Sequence, residues 1–450
     1  MLCVSRILSA FTPIIQGNSR APSLRKVPLK ACRQLNITPV WPIHNALQVR
    51  STHEPGGVIE EANITGNRKI LSVKWRNGEF ASFHSKWLRF NCLCSKCNDH
   101  TSKSWIWPAH QVPLELTLKS MTTTDNGEIH VQWNEEEHEG IITKDHLLQH
   151  SYSEENRRRL REETKLQFQT DMTLPEVSWL DVEKCEDALY RWLRNISDKG
   201  ICLLTDVPAE HHYARKVLSK IGSLTGTLYG DIWDVKLHKN IINAAYGRQA
   251  LLFHTDLAIY EAQPGIQFLH CLKFDDTLEG GETLFVDLYH IAELFRTDYP
   301  EDFRILTEVP FTFTRIHYDR ADPVHMILRK PLIRLNDDNR IISVTWHEHE
   351  LGPPLVNEKN VDDFYRSYQL FARAINEFPY KRSVRLRKGD MICFNNRRLA
   401  HSRNAFVGKG ERHLQGCYVN SDDFKSKLMY LSHKLDNGRP VCHIGNTDWT

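Results

Sequence analysis

The chain of 450 residues is 41% hydrophobic, 10% aromatic and 25% charged, the composition of an ordinary globular protein of roughly two or three domains. Fifty-eight Lys and Arg stand against 56 Asp and Glu, so no global basic field directs it to nucleic acid or a membrane surface. No stretch approaches the roughly 18 uncharged apolar residues of a spanning helix, and any partner must be sought at a local site.

Residues 1–53 hold no Asp or Glu but do hold Arg6, Arg20, Arg25, Lys26, Lys30, Arg33 and Arg50, and Ser and Pro follow the apolar opening. This pattern predicts a mitochondrial transit peptide, the alternative being a basic tail on a cytoplasmic protein. In either compartment the 11 cysteines are expected as thiols or metal ligands.

Residues 54–150 read as a small β domain. "RKILSVKWRNGEFASFHSKWLRFNC" alternates apolar and polar residues around an Asn77-Gly78 turn, and "LELTLKSMTTTDNGEIHVQW" repeats the strand-turn-strand pattern without suggesting an internal repeat. Between them "NCLCSKCNDH" places Cys92, Cys94 and Cys97 within six positions, a density that favours a structural, tetrahedral Zn(II). The fourth ligand is open between His100 and His138. Residues 151–175 are charged on all sides and predict an exposed linker helix.

From 176 to 450 the pattern is mainly β. "CEDALYRWLRNISDKG" predicts a helix capped by Gly200, "ICLLTDV" a buried strand, and "VDDFYRSYQLFARAINEF" the one clear helix farther on. Strict strand-helix alternation is absent, so a barrel or sandwich with flanking helices is expected.

"LLFHTDLAIY" puts His254 and Asp256 two positions apart in an apolar run, and in a strand both project to one face. Burying both without a partner is costly. A hydrogen-bonded His-Asp pair would resolve the cost, and so would a divalent metal. Two His and one carboxylate on one face is the ligand set of non-haem Fe(II) oxygenases. "GDMICFNNRRLAHSRNAF" offers His401 just past a strand end, and Arg412 in "ERHLQGCYVN" could take a carboxylate bidentately. Three protein ligands leave room for a bidentate 2-oxo acid and O2.

Together "FHTDLAIYEAQPGIQFLHCLK", "GGETLFVD", "NNRRLAHSR" and "ERHLQGCYV", preceded by the cysteine cluster, resemble the γ-butyrobetaine dioxygenase and trimethyllysine dioxygenase family of carnitine biosynthesis over about residues 65–430. The resemblance implies a double-stranded β-helix (jelly-roll) catalytic domain behind a small zinc-binding domain, and a homodimer. It implies iron at His254, Asp256 and His401, and 2-oxoglutarate held by Arg412 with help from Thr283. It also implies zinc at Cys92, Cys94, Cys97 and His138, and ascorbate to keep iron reduced. Tyr229, Trp233, Tyr246 and Tyr418 match the family's aromatic cage for a quaternary ammonium, which cannot donate a conventional hydrogen bond. Asn243 matches the substrate-carboxylate residue of the γ-butyrobetaine enzymes.

Two positions depart from the family pattern. His347 and its neighbours stand where a second carboxylate-binding asparagine is expected, and Ser402 stands where the family usually has glycine. The expected activity is hydroxylation of γ-butyrobetaine to L-carnitine. Trimethyllysine hydroxylation is the alternative within the family, and a non-catalytic metal-binding paralogue the alternative outside enzymes.

Overall fold

A computed structural model describes residues 58–442, apart from 125–126, 167, 169, 171–172 and 238–246. The predicted leader therefore lies outside the described residues, as do Asn243 and Tyr246.

The N-terminal region is built twice from one unit, against the expectation of no internal repeat. Strands Ile59–Thr65, Ile70–Trp75 and Phe80–His84 form a meander closed by helix Ser85–Phe90. Strands Leu118–Thr123, Glu128–Trp133 and Glu139–Thr143 form another, closed by helix Lys144–Gln149. Both sheets carry a register shift at the start of the first strand, opposite Trp75 and Trp133. Helix starts also correspond, with side chains of His84 and Thr143 accepting from backbone amides of the first turn. What the two units share is a burial pattern. Leu71, Val73, Trp75 and Leu88 pack in one cluster with Ile129, Val131, Trp133 and Leu147.

Helix Glu154–Glu163 follows, with Ser153 as its N-cap. It is not merely exposed: Arg157 pairs with Asp338 at 3.2 Å and Arg340 donates to Thr164, both from the catalytic region.

The catalytic region is a two-sheet sandwich between helical layers. One sheet has six strands, in the order Ile232–Lys236, Arg412–Val419, Ile266–Phe274, Met391–Asn395, Ile201–Thr205 and Glu176–Ser178. The other has four, in the order Leu251–His254, Leu399–Arg403, Thr283–Asp287 and Arg382–Val384.

Alternation explains why the strands read as unbroken apolar runs. Ile201 and Leu203 fill the interior with Phe285, Ile392, Phe394 and Leu399, whereas Cys202 and Leu204 face outward to Trp192, Leu428 and Leu431. Helix Glu186–Lys199 ends at Gly200, whose φ of 77° is the left-handed cap.

Helices Leu288–Asp298, Pro300–Glu308 and Ser421–Leu435 join the expected Val361–Glu377. These three were not expected, although Leu288, Ile291, Ala292 and Phe295 recur at helical spacing and bury one face. The first three of the four helices in chain order, with Val361–Glu377 among them, cover the outside of the four-stranded sheet through Phe303, Phe364 and Phe371.

Candidate active site

The strand from Leu251 stops at His254, short of Asp256, and antiparallel pairing sets His254 directly opposite His401. Thr255 turns into the core, donating through its amide to Trp346 O at 2.7 Å. Leu257 then adopts a left-handed φ of 59°. His254 and Asp256 thus face the same side with Thr255 on the other, and the chain makes this sharp turn only after Asp256. Side chains absorb its strain. Asn396 accepts from the Asp256 amide at 2.8 Å and donates to the Asp256 carbonyl at 3.0 Å, while Gln263 donates to the same carbonyl at 2.8 Å.

Asp256 Oδ1 lies 3.3 Å from His254 Nε2 and 3.8 Å from His401 Nε2. Its Oδ2 accepts from Gln267 and from the Tyr418 hydroxyl, each at 2.6 Å, so only Oδ1 faces the imidazoles. His254 Nδ1 donates to Leu252 O at 2.8 Å, which fixes the ring with Nε2 turned toward Asp256 Oδ1 at the centre.

Burial pushes His401 down to about 3, so it is a neutral ring with a lone pair. Burial opposes ionisation of Asp256, but the His254 hydrogen bond and the two imidazoles hold its carboxyl well below the ordinary range. One ligand atom from each of the three residues lies within 4.8 Å of the others. An ionised carboxylate and imidazole nitrogens converging on one point fit a divalent cation.

Arg412 begins the long central strand and lines the same cavity. Its guanidinium is 5.4 Å from the Phe274 ring and 6.0 Å from that of Phe406, and its Nε has no hydrogen-bond partner among the described residues. Burial, then the like charge of Arg403, lower it only to about 10, so it stays cationic at neutral pH. A buried cation with an orphaned donor fits an organic carboxylate. Thr283, buried and paired in register with Arg403, lines the cavity beside it.

Farther along the same sheet as Arg412, Trp233 stacks on Tyr418 with centroids 4.5 Å apart and 29° between planes, and Tyr229 lies 6.2 Å from Trp233. Gly416 sits opposite Trp233 in the sheet, and any Cβ there would meet the indole at 2.3 Å. The bare backbone is what lets the ring lie across the strand. Tyr418 joins the two halves of the site, with its ring in the aromatic wall and its hydroxyl on Asp256.

His347 lines the cavity with its ring 5.1 Å from that of His254, and Ser402 is buried beside His401. Gln267, Asn396, Gly416, Arg315 and Glu350 went unrecognised in the sequence. Gln267 and Asn396 did carry a signal, since each is a polar residue inside or beside a run that is otherwise apolar and buried.

Far from this cavity a second cluster forms. His138 Nε2 lies 3.5, 3.8 and 3.4 Å from the sulfurs of Cys92, Cys94 and Cys97. A tetrahedral zinc with sulfur and nitrogen ligands has edges of about 3.6 Å, so the four donors fit. His100, the other candidate, is exposed and outside the cluster. Arg89, fully buried over Trp107, donates to Cys97 Sγ at 3.3 Å and pairs with Glu136. Three thiolates around a dication carry one net negative charge, which that guanidinium offsets.

A family model described as taurine catabolism dioxygenase TauD, TfdA family matches residues 158–418, and one described as gamma-butyrobetaine hydroxylase-like, N-terminal matches residues 63–147. The chain is 31% identical over 364 residues to a gamma-butyrobetaine dioxygenase of Pseudomonas sp. (strain AK-1), covering 80% of this chain and 93% of that one. It is 27% identical over 387 residues to the gamma-butyrobetaine dioxygenase of Homo sapiens, covering 84% and 99%. With a trimethyllysine dioxygenase of Meyerozyma guilliermondii it shares 28% over 381 residues, covering 80% and 93%.

Proposed function

Because this chain belongs to the taurine catabolism dioxygenase TauD, TfdA family and is a 2-oxoglutarate-dependent dioxygenase, we propose that it hydroxylates γ-butyrobetaine to L-carnitine. The observation that carries this reading is Tyr418, which places an aromatic wall suited to a quaternary ammonium directly against the His254, Asp256 and His401 cluster.

His254, Asp256 and His401 would hold Fe(II), Arg412 with Thr283 would hold 2-oxoglutarate, and Cys92, Cys94, Cys97 and His138 would hold Zn(II). Iron with 2-oxoglutarate and O2 supplies the oxidising power to break an unactivated C–H bond. The remaining work is positioning, and the chain's own residues do it. Trp233, Tyr229 and Tyr418 present ring faces to the cation, worth about 1–2 kcal/mol per desolvated face. Gln267 and Tyr418 occupy Asp256 Oδ2, so the carboxylate cannot rotate away from the histidines. The substrate carboxylate is assigned to Asn243, with Tyr246 completing the cage.

Trimethyllysine is the second reading, supported by the similarity to the Meyerozyma enzyme. The cluster at residue 256 together with the buried Arg412 speaks against a non-catalytic paralogue, which would have no use for either. Ascorbate as reductant, a homodimer and mitochondrial import belong to the same proposal. They rest on the sequence resemblance and on the acid-free leader.

Purified protein supplied with Fe(II) and 2-oxoglutarate is expected to form succinate faster when γ-butyrobetaine is added, with carnitine in equal amount. Stimulation by trimethyllysine alone would select the second reading, and no stimulation by either would exclude both. Asp256→Ala should abolish turnover.

A further inference from the structure

The cavity has an acidic group that neither the metal cluster nor the 2-oxoglutarate anchor uses. Glu350 is 4% exposed, lines the cavity with Tyr229 and Trp233, and its Oε2 has no hydrogen-bond partner among the described residues. A buried acceptor left unmade costs about 1–3 kcal/mol. Its geometry is held. Glu350 closes the short 3-10 turn Glu348–Glu350, its amide donates to His347 O at 3.2 Å, and His347 bridges backbone to backbone with His254. The turn that carries the carboxylate is thus tied to the strand that carries the first metal-cluster histidine.

The electrostatics point the same way. Burial pushes the Tyr229 hydroxyl up to about 12, and among the charges acting on it Arg315 pulls it down while Glu350 pushes it up. Burial likewise raises the Glu350 carboxyl to about 7 against the pull of Arg315. A cation brought alongside favours the ionised form. The aromatic wall accounts for the shape of a trimethylammonium group and for part of its charge; a buried carboxyl on the same cavity supplies negative charge once the cation beside it favours the ionised form.

We propose that Glu350 is the anionic member of the cage and sets the preference of this site for a quaternary cation over a neutral group of the same shape. The proposal rests on the reading that the substrate is a trimethylammonium compound. It makes Glu350 a specificity-determining residue of the sequence "TWHEHE", the segment that departs from the family pattern.

The test is calorimetric binding to the full-length protein loaded with 2-oxoglutarate, at about pH 8 so that the carboxyl is ionised. The probes are γ-butyrobetaine, trimethyllysine and the isosteric tert-butyl carboxylic acid in which carbon replaces the nitrogen of γ-butyrobetaine. Wild type is expected to prefer the cation by about tenfold or more, and Glu350→Gln to bring that ratio near one with 2-oxoglutarate affinity unchanged. Glu350→Asp, which keeps the charge on a shorter arm, should retain part of the preference and serves in its place if Glu350→Gln does not fold. An unchanged ratio in Glu350→Gln overturns the inference while leaving the proposed function standing. Weakening confined to trimethyllysine would put Glu350 at an α-ammonium and overturn it too. If wild type binds neither trimethylated compound, the proposed substrate falls and takes the inference with it.

Discussion

Single side chains decide this site by what they exclude. Gly416→Val would drive a side chain into the space of the Trp233 indole, which stands only 2.3 Å from where a Cβ would be. The expected result is a rise of about tenfold or more in KM for the quaternary substrate, with uncoupled 2-oxoglutarate decay nearly untouched. Trp233→Ala should act alike, and steady-state kinetics with and without substrate measures the split. Equal losses in both activities would argue against the cage. Arg412→Gln should raise the KM for 2-oxoglutarate instead, because the buried guanidinium is lost while the aromatic wall is kept.

His270 offers a pH test away from the cavity. It is fully buried in the six-stranded sheet, and burial lowers it from 6.5 to about 4. The folded state keeps this ring neutral while the unfolded state protonates it. Its contribution is therefore complete above about pH 6.5 and is lost as pH falls toward about 4, by about 3 kcal/mol in all. His270→Leu should flatten denaturant-measured stability across that window, and an unaltered slope would show that other groups set it.

At the scale of elements, the N-terminal region shows how a repeat can hide. The two meander-helix units share buried positions and a register shift: Leu71, Val73 and Trp75 answer to Ile129, Val131 and Trp133, while the polar positions between them differ. Hydrophobic pattern is what folding reads, and it tolerates such exchanges. The loop after the first helix carries Cys92, Cys94 and Cys97, and the hairpin of the second unit returns His138 to them. A metal there would clasp the two units. Chelation of zinc, or Cys94→Ser, is expected to lower the melting temperature of the 58–150 region while iron binding to the separate cavity persists, which calorimetry and metal analysis can follow. A single unshifted transition after complete zinc removal would contradict the structural role.

Across the whole molecule, function depends on two sheets meeting. The cluster at Asp256 draws His254 and His401 from the four-stranded sheet, while Gln267, Arg412 and Tyr418 reach it from the six-stranded sheet. Much of this was legible beforehand: the mainly β sandwich, both metal-type clusters and Arg412 by residue type and spacing, and Tyr229, Trp233 and Tyr418 through the family resemblance. The Gly200 cap and the buried run "ICLL" were equally plain. The helices at Leu288–Asp298 and Pro300–Glu308 were missed because each is short and of mixed propensity, although Pro300 with Glu301 and Asp302 in the first turn is a helix-start signal. The two-residue spacing of His254 and Asp256 also brings both to one side with Thr255 buried on the other, although the strand itself ends at His254.

The division follows the range of the forces involved. Local chemistry, such as the ligand types, the Cys spacing, the cap and the alternation of apolar residues, is written within a few positions of the chain and was determined by the sequence alone. Bringing His138 up to the three cysteines, setting His254 opposite His401, clearing space for Trp233 over Gly416 and leaving Glu350 buried in the cavity wall needed contacts between segments far apart in the chain. Those contacts exist only once the sheets have packed, because packing alone fixes which distant side chains lose water together.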